Sequence, residues 1–453
     1  MNMNDTIAAI STAQGVGAIS IIRVSGPSAI PIVNKVFDGK DLEKVSTHTI
    51  HYGKIMDQTE VIDEVLVSVM RAPKTFTRED IVEINCHGGI ASTNKVLELI
   101  LRNGARLAEA GEFTKRAFLN GRIDLTEAES IMDLISSKTE ASRKVAIKGL
   151  TGHINHLIRS LRQEILELLA SIEVNIDYPE YEDAIEMTND KVAPAIQSIK
   201  TKLHHIIEES ENGRILTSGI KTVIIGKPNV GKSSILNRLL DEDKAIVTAI
   251  EGTTRDTVEG QITIKGVALN LIDTAGIHET EDLVEKIGVD KSLRLIEEAD
   301  LVILVLNQNE KLSAEDRKIL SVCQNKKTIV VLNKSDLEKK IEEEEIPYSE
   351  IIHTNTLDGN GIEPLKRKIS ELFHLEQLQS QDDSYLSNIR QISLAKEALS
   401  ILEEVTVGIE QEVPVDMIEI DIKRSWEKLG EIIGETYSEE LIDQLFSQFC
   451  LGK

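Results

Sequence analysis

The chain has few aromatic residues, few thiols and too little positive charge to balance its acids. Phe, Trp and Tyr make up 3% of its 453 residues against 41% hydrophobic residues in all, which fits a soluble, helix-rich protein with aliphatic cores and excludes a membrane or disordered chain. Cys86, Cys323 and Cys450 have no paired metal spacing, and no charged-then-apolar leader precedes Ile7, so a reducing cytoplasm is the expected compartment. Apolar runs such as Leu301 to Leu306 fall far short of the ~20 residues that span a bilayer. With 51 Lys and Arg against 76 Asp and Glu, the net charge is −25, which argues against broad wrapping of nucleic acid. Any nucleic acid would be held locally or by a partner.

What the chain does have is length, enough for about three domains. From Thr6 to about Asn120, strand-like runs (Ala18 to Val24, Ile81 to Ile84) alternate with an amphipathic stretch, Thr93 to Leu101, which predicts a small α+β domain over 1–120. Ile154, Leu157, Ile158, Leu161, Ile165, Leu168, Leu169 and Ile172 then follow the spacing of one helix face, so 121–215 reads as helical. Between 216 and 376, short β-branched runs (Thr222 to Ile225, Leu301 to Leu306, Thr328 to Leu332) separated by helical patterns predict a doubly wound parallel sheet. After a polar stretch, Gln377 to Ser384, the helical pattern returns over 377–453. Neither helical flank carries an obvious core of its own, so the two are expected to pack together with the α/β domain inserted between them. The acidic run Glu342 to Glu345 reads as a solvated face or loop.

Gly226-Lys-Pro-Asn-Val-Gly-Lys-Ser233 fits G-x-x-x-x-G-K-[ST], lying after the strand run Thr222 to Ile225 and before the helical run Ile235 to Leu240. Glycines let backbone N–H groups surround phosphates, Lys232 reaches the β and γ phosphates, and the Ser233 hydroxyl suits magnesium. Asp273-Thr274-Ala275-Gly276 follows the run Ala268 to Ile272 and offers an acid for the magnesium shell and a glycine N–H for the γ phosphate. Asn333-Lys334-Ser335-Asp336 follows a third strand run, with a carboxylate able to accept two N–H groups of guanine and an amide for the purine edge. Gly252-Thr253-Thr254-Arg255-Asp256 reads as a switch segment. Asn355-Thr356-Leu357 occupies the place where GTPases commonly carry Ser-Ala-Lys against the base. These motifs make the fold class an α/β multidomain protein, with a P-loop (Ras-like) GTPase domain inserted in a discontinuous all-helical domain and preceded by the small α+β domain.

Two tempting signals carry less. Gly15-x-Gly17-x-x-Ser20 lacks the third glycine of a dinucleotide fingerprint and precedes a strand-like run. His87-Gly88-Gly89 has no nucleophile elbow to serve and reads as a tight turn. The run Leu441, Ile442, Leu445, Phe446, Phe449 predicts a closing helix that docks and fixes Cys450 and Lys453. For Cys450, a functional thiol and a buried thiol without chemistry stand as alternatives.

Together GKPNVGKS, GTTRD, DTAG and NKSD resemble bacterial ribosome-assembly and tRNA-modification GTPases. The segments DTIAAISTAQGVGAISIIRVSG from Asp5, EINCHGG from Glu83, GEFTKRAFLNGRID from Gly111 and FCLGK from Phe449 are similar to the MnmE (TrmE) family of tRNA-modifying GTPases. The resemblance implies addition of an aminomethyl or carboxymethylaminomethyl group at C5 of the wobble uridine of tRNA. It also implies an FAD-dependent partner of the MnmG (GidA) type in a heterotetramer, since no flavin fingerprint is present, with the tRNA held mainly by that partner. A 5,10-methylene- or formyl-tetrahydrofolate would supply the one-carbon unit, at positions matching Arg23, Glu83, Arg122 and Lys453. Contacts to GTP would fall on Asn229, Val230, Gly231, Lys232, Ser233, Ser234, Thr248, Ala249, Ile250, Glu251, Gly252, Thr253, Thr254, Asp273, Thr274, Ala275, Gly276, Asn333, Lys334 and Asp336. Magnesium would lie at Ser233 and Thr254, and potassium at Asn229, Thr248, Ile250 and Thr253. Glu285 would orient the attacking water, because no Gln follows Gly276 as in Ras-like switches. A homodimer held by the N-terminal domains is implied as well. The alternative is a ribosome-assembly GTPase of the Era or Der type.

Overall fold

The structure is a computed structural model and describes residues 4–177, 187–242, 258–272, 295–357, 361–378 and 386–452. Contacts group the chain into two compact units. The first comprises 1–132, 149–199 and 397–453, the second 133–148 and 200–396.

In the first unit, the described residues form a seven-stranded sheet, β3-β4-β5-β6-β2-β1-β7, from β1 (Ile7–Ile10), β2 (Ile19–Ser25), β3 (Phe37–Asp38), β4 (Thr49–Asp57), β5 (Glu60–Met70), β6 (Ile81–His87) and β7 (Arg106–Leu107). Helices α1 (Ala29–Asn34) and α2 (Ile90–Arg102) pack their apolar sides on one face, where Ile22, Val24, Val67 and Ile84 meet Val33, Val96 and Ile100. Side chains alternate along a strand, so the residues between these, Arg23 and Glu83 among them, fall on the other face. Strands β2 and β6 are antiparallel with Arg23 directly opposite Glu83. The expected α+β pattern holds, and β4 and β5, which the sequence reading passed over, form the longest pairing.

Helices α3 (Glu112–Leu119), α4 (Leu125–Ser136), α5 (Glu140–Leu150), α6 (His153–Asp177) and α7 (Asn189–Ser218) follow. The face read from Ile154 to Ile172 is that of α6, and Ile158, Ile165 and Ile172 are fully buried on it. It packs in the first unit against a helix from the far flank, Val415–Ile433. Arg162 of α6 is buried, stacks 4.0 Å from the Trp426 ring, donates to the Trp426 carbonyl at 3.2 Å and pairs with Glu435. The two flanks do pack together, as expected.

The second unit holds a six-stranded sheet, β13-β12-β11-β8-β10-β9, from β8 (Ile220–Ile225), β9 (Val258–Ile264), β10 (Val267–Ile272), β11 (Leu301–Asn307), β12 (Thr328–Asn333) and β13 (Ile351–Thr354). All neighbours are parallel except β9, which pairs antiparallel with β10 through a turn at Lys265 and Gly266. The parallel sheet expected from sequence carries an antiparallel edge strand, because both turn residues accept positive φ (46° and 72°) and so close a hairpin. Strands β11 and β12 are buried at every residue, which is why they read as unbroken apolar runs. Helix α8 (Lys232–Glu242) follows β8, α9 (Ala314–Val322) carries the crossover from β11 to β12, and α10 (Ile362–Leu372) follows the last strand.

Beyond α11 (Leu375–Leu378) lie α12 (Ile389–Glu410), α13 (Val415–Ile433) and α14 (Glu439–Phe446). The closing helix is shorter than predicted. It stops at Phe446, and Phe449 is buried by a turn that brings its ring 4.9 Å from that of Phe446. The acidic run forms an exposed 3-10 turn at Glu343–Glu345, where Lys339 holds Glu343 at 2.6 Å and Arg317 holds Glu345 at 2.7 Å. No described helix is long and apolar enough to cross a membrane.

Candidate nucleotide site and N-terminal pocket

The loop from Gly226 to Gly231 joins β8 to α8 and runs over the end of the sheet. Three of its residues adopt positive φ: Gly226 (147°), Asn229 (61°) and Gly231 (103°). At the two glycines a side chain has no room. A Cβ on Gly226 would lie 2.2 Å from the Val305 carbonyl, and one on Gly231 2.1 Å from Asn333 Nδ2. Ile235 and Leu239, four apart on α8, are fully buried and fix the helix start under the loop.

Lys232 is 5% exposed. Its ammonium donates to the carbonyls of Gly226 and Lys227, both at 2.7 Å, which folds it back over the loop and leaves one of three N–H groups for a ligand. Burial holds its pKa below the usual lysine value. A polyphosphate would relieve that cost, and with the free backbone N–H groups at the start of α8 this cradle fits one. Ser233 and Ser234 are exposed on the helix's first turn.

Loop and base-reading motif are tied together by a residue whose task the sequence did not reveal. Asn333, 1% exposed, donates from Nδ2 to the Val230 carbonyl at 2.8 Å and accepts from Thr354 Oγ1 at 3.1 Å, so one amide spans loop, β12 and β13. Lys334 follows at φ 62°, Ser335 N donates to the Thr354 carbonyl at 3.0 Å, and Asp336 is exposed. A second anchor was also missed. Lys227 pairs with the buried Asp316 at 2.8 Å and donates to Ser313 Oγ at 3.2 Å, at the capped start of α9; the Asp316 bond raises its pKa. Thr248, Ala249, Ile250, Glu251, Gly252, Thr253, Thr254, Asp273, Thr274, Ala275, Gly276 and Glu285 lie outside the described residues, as does Lys453.

In the first unit, Arg23 meets Glu83 through Nε at 2.9 Å and Nη2 at 2.8 Å, both on Oε1. The guanidinium carbon lies 5.7 Å from the Phe113 ring and 6.0 Å from that of Phe76. Residues 450–452 dock beside the pair: Leu451 bridges to Ala110, Gly111 N donates to the Cys450 carbonyl at 3.3 Å, and the Gly452 carbonyl accepts from Ser11 Oγ at 3.0 Å and Arg23 Nη1 at 3.4 Å. Gly452, at φ 85°, has the Ile10 carbonyl 2.3 Å from its would-be Cβ. The partly exposed cation and carboxylate suit a ligand with an anionic tail and an edge of N–H donors, while Phe113 and Phe76 belong to the core beneath them. Arg122 is exposed in the turn after α3, and its charge partly offsets the rise that burial gives the Glu127 pKa.

Other residues of the N-terminal motifs build the frame. Arg116, fully buried, bonds the Asp5 carbonyl at 3.0 Å, Glu79 at 3.1 Å and Glu112 at 3.0 Å, and pairs with the Asp5 carboxylate; Arg106 adds Glu112 at 2.6 Å. Removing one member of such a network costs about 3–5 kcal/mol. Cys450 is exposed, which removes the buried-thiol reading, while Cys86 and Cys323 are buried and burial pushes the Cys323 thiol up to about 11. His87-Gly88-Gly89 forms the turn from β6 into α2, as expected, with Gly17 N donating to the Gly88 carbonyl at 3.0 Å. Among the described residues no group of His, Cys, Asp and Glu could hold a metal ion.

A glycine loop folded around its lysine and clamped to Asn-Lys-Ser-Asp at the end of a parallel strand defines a guanine-nucleotide-binding P-loop protein. Residues 6–122 match the family described as GTP-binding protein TrmE N-terminus, and 125–450 match the MnmE helical domain. A tRNA modification GTPase MnmE of Streptococcus thermophilus is 56% identical over 99% of this chain and 98% of its own length. Those of Ligilactobacillus salivarius and Bacillus subtilis are each 54% identical over 99% of the chain and 98% and 100% of theirs. The chain belongs to the MnmE family of tRNA modification GTPases, and it is a GTP hydrolase of tRNA modification that uses GTP and Mg2+. Because the likeness runs through both flanks and not the G domain alone, the ribosome-assembly alternative falls.

Proposed function

We propose that the chain is a potassium-dependent GTPase of the cytoplasm that adds an aminomethyl or carboxymethylaminomethyl group to C5 of the tRNA wobble uridine. It works as a homodimer, joined in a heterotetramer by an FAD-dependent partner of the MnmG type that holds most of the tRNA. When bound, 5,10-methylene- or formyl-tetrahydrofolate supplies the one-carbon unit.

The observation that carries this reading is the meeting of Arg23, Glu83 and the Gly452 carbonyl, drawn from positions up to 429 residues apart. Arg23 orients an anionic tail, Glu83 accepts from the donor edge of a pterin, and Phe76 and Phe113 form the core beneath the cation. Arg122 and Lys453 complete the set by resemblance. For the cation, the support is Asn229, which stands exposed on the phosphate loop at φ 61° and presents a hard amide oxygen. Thr248, Ile250 and Thr253 complete that set, and Glu285 orients the attacking water.

Isothermal titration of tetrahydrofolate against the protein and its Glu83→Gln variant tests the pocket. Binding weakened on the order of a hundredfold supports it, and equal affinity refutes it. Hydrolysis rates in potassium and in sodium, with Asn229→Ala alongside, test the cation. Equal rates in both salts would sink that part of the proposal.

A further inference from the structure

The geometry points to Arg238 as a positioning residue of the guanine subsite, acting from the phosphate-loop helix on the backbone that borders the base. This rests on the GTPase assignment alone; the folate and potassium readings can fail without touching it.

Arg238 lies on α8, six residues after Lys232. Its side chain reaches the segment that follows β13. There Nε donates to the Thr356 carbonyl at 3.1 Å and Nη2 to the Leu357 carbonyl at 2.8 Å. A guanidinium is a rigid fork, so two successive carbonyls held by one arginine fix the orientation of the peptide between them, which a single bond would not. Among the described residues, Arg238 has no carboxylate partner, and these carbonyls are where its donors go.

The segment so held adjoins the residues that read the base. Thr354 closes on Asn333 through its side chain and on Ser335 through its carbonyl, so residues 355–357 leave β13 next to Asp336. Leu357 N donates to Asn355 Oδ1 at 3.1 Å, a local turn that shapes the segment further. Leu357 itself is 79% exposed. An apolar side chain left in water, three residues after the Thr354 that holds Asn333 and Ser335, is suited to cover a flat purine face, where its transfer from water rewards binding. Arg238 sets where that side chain stands. The same helix begins at the phosphate cradle, so α8 fixes both ends of a nucleotide from one rigid element.

The test uses the full-length protein with a fluorescent GDP, displaced either by GDP or by pyrophosphate, which needs the phosphate loop only. Arg238→Ala is expected to weaken GDP about tenfold, the scale of one charge-assisted hydrogen bond, and to leave pyrophosphate unchanged. Arg238→Lys, able to reach one carbonyl, should fall between. Leu357→Ala changes an exposed side chain that folding does not need, and should also weaken GDP alone; combined with Arg238→Ala it should add less than its separate effect. Equal loss of GDP and pyrophosphate would place the effect in the phosphate loop and overturn the proposal. So would unchanged GDP affinity in either single variant, or strict additivity of the two.

Discussion

The nucleotide cradle and the N-terminal pocket are built on opposite plans. Six consecutive residues, 226–231, and the first turn of one helix make the cradle, and its lysine is satisfied by carbonyls five and six residues away. The pocket takes one residue from β2, one from β6 and a carbonyl from position 452, brought together by strand register and by a docked segment. Contiguous backbone shapes the first, with Asn333 and Asp316 as its distant anchors, and the whole first unit must fold to make the second. A cradle of that kind breaks by backbone clash at a few points, whereas the pocket breaks wherever its distant parts are detached.

The largest effect is expected at the cradle. Lys232→Ala removes the side-chain cation folded over the loop and should lower kcat/KM for GTP on the order of a thousandfold, while tetrahydrofolate titration is unchanged. A matching loss of folate binding would show that the two plans are not separable. Next comes Gly231→Ala. The added Cβ would press on Asn333 Nδ2 at a φ of 103° that alanine resists, and such strain of about 1–3 kcal/mol should weaken GDP by roughly tenfold to a hundredfold in equilibrium titrations.

The counterpart in the pocket is Gly452→Ala, where the Ile10 carbonyl stands 2.3 Å away and φ is 85°. It is expected to release residues 450–452, abolish folate binding and leave GTP hydrolysis within about twofold of normal. Loss of hydrolysis in this variant would break the contrast. The smallest effect is set by His87. Its Nδ1 lies 2.7 Å from Asp63, and that hydrogen bond raises its pKa above 6.5. A histidine raised in the folded state stabilises fully below its unfolded pKa and loses this as pH rises through the folded value. The Tm difference between the protein and His87→Gln should therefore be largest below about pH 6 and shrink on the alkaline side. His87 is exposed, so the shift should be small, and a difference that grows with pH would refute the pairing.

The same contrast decides how much could be read from the sequence. Gly226 to Ser233 announced itself because contiguous backbone does the work and few sequences satisfy it by chance. Strands β11 and β12 announced themselves because both faces are buried and nothing interrupts the apolar run. Arg23 and Glu83 came only from family resemblance, since no local rule places two charges 60 residues apart on opposing strands in register. Asn333 was legible as a base-reading residue but not as the clamp on Val230, and nothing in the sequence assigned a role to Lys227 or Arg238. What those three do depends on where the chain returns in space. The hairpin edge at β9 was missed for a simpler reason: its signal is two turn residues, Lys265 and Gly266, without a turn dipeptide of the usual kind.

The hydrogen bond from Ser11 to the carbonyl of Gly452 spans 441 residues. Translated from its start, the chain produces the strands of the pocket first, the nucleotide cradle midway and the segment that borders the pocket only after that. A nascent chain therefore has the makings of a complete GTP-binding loop long before it has a finished pocket. A chain stopped just short of residue 450 keeps the helical flank and its contact with Arg162 but lacks the segment that docks beside Arg23, and is expected to keep nucleotide turnover while losing folate binding.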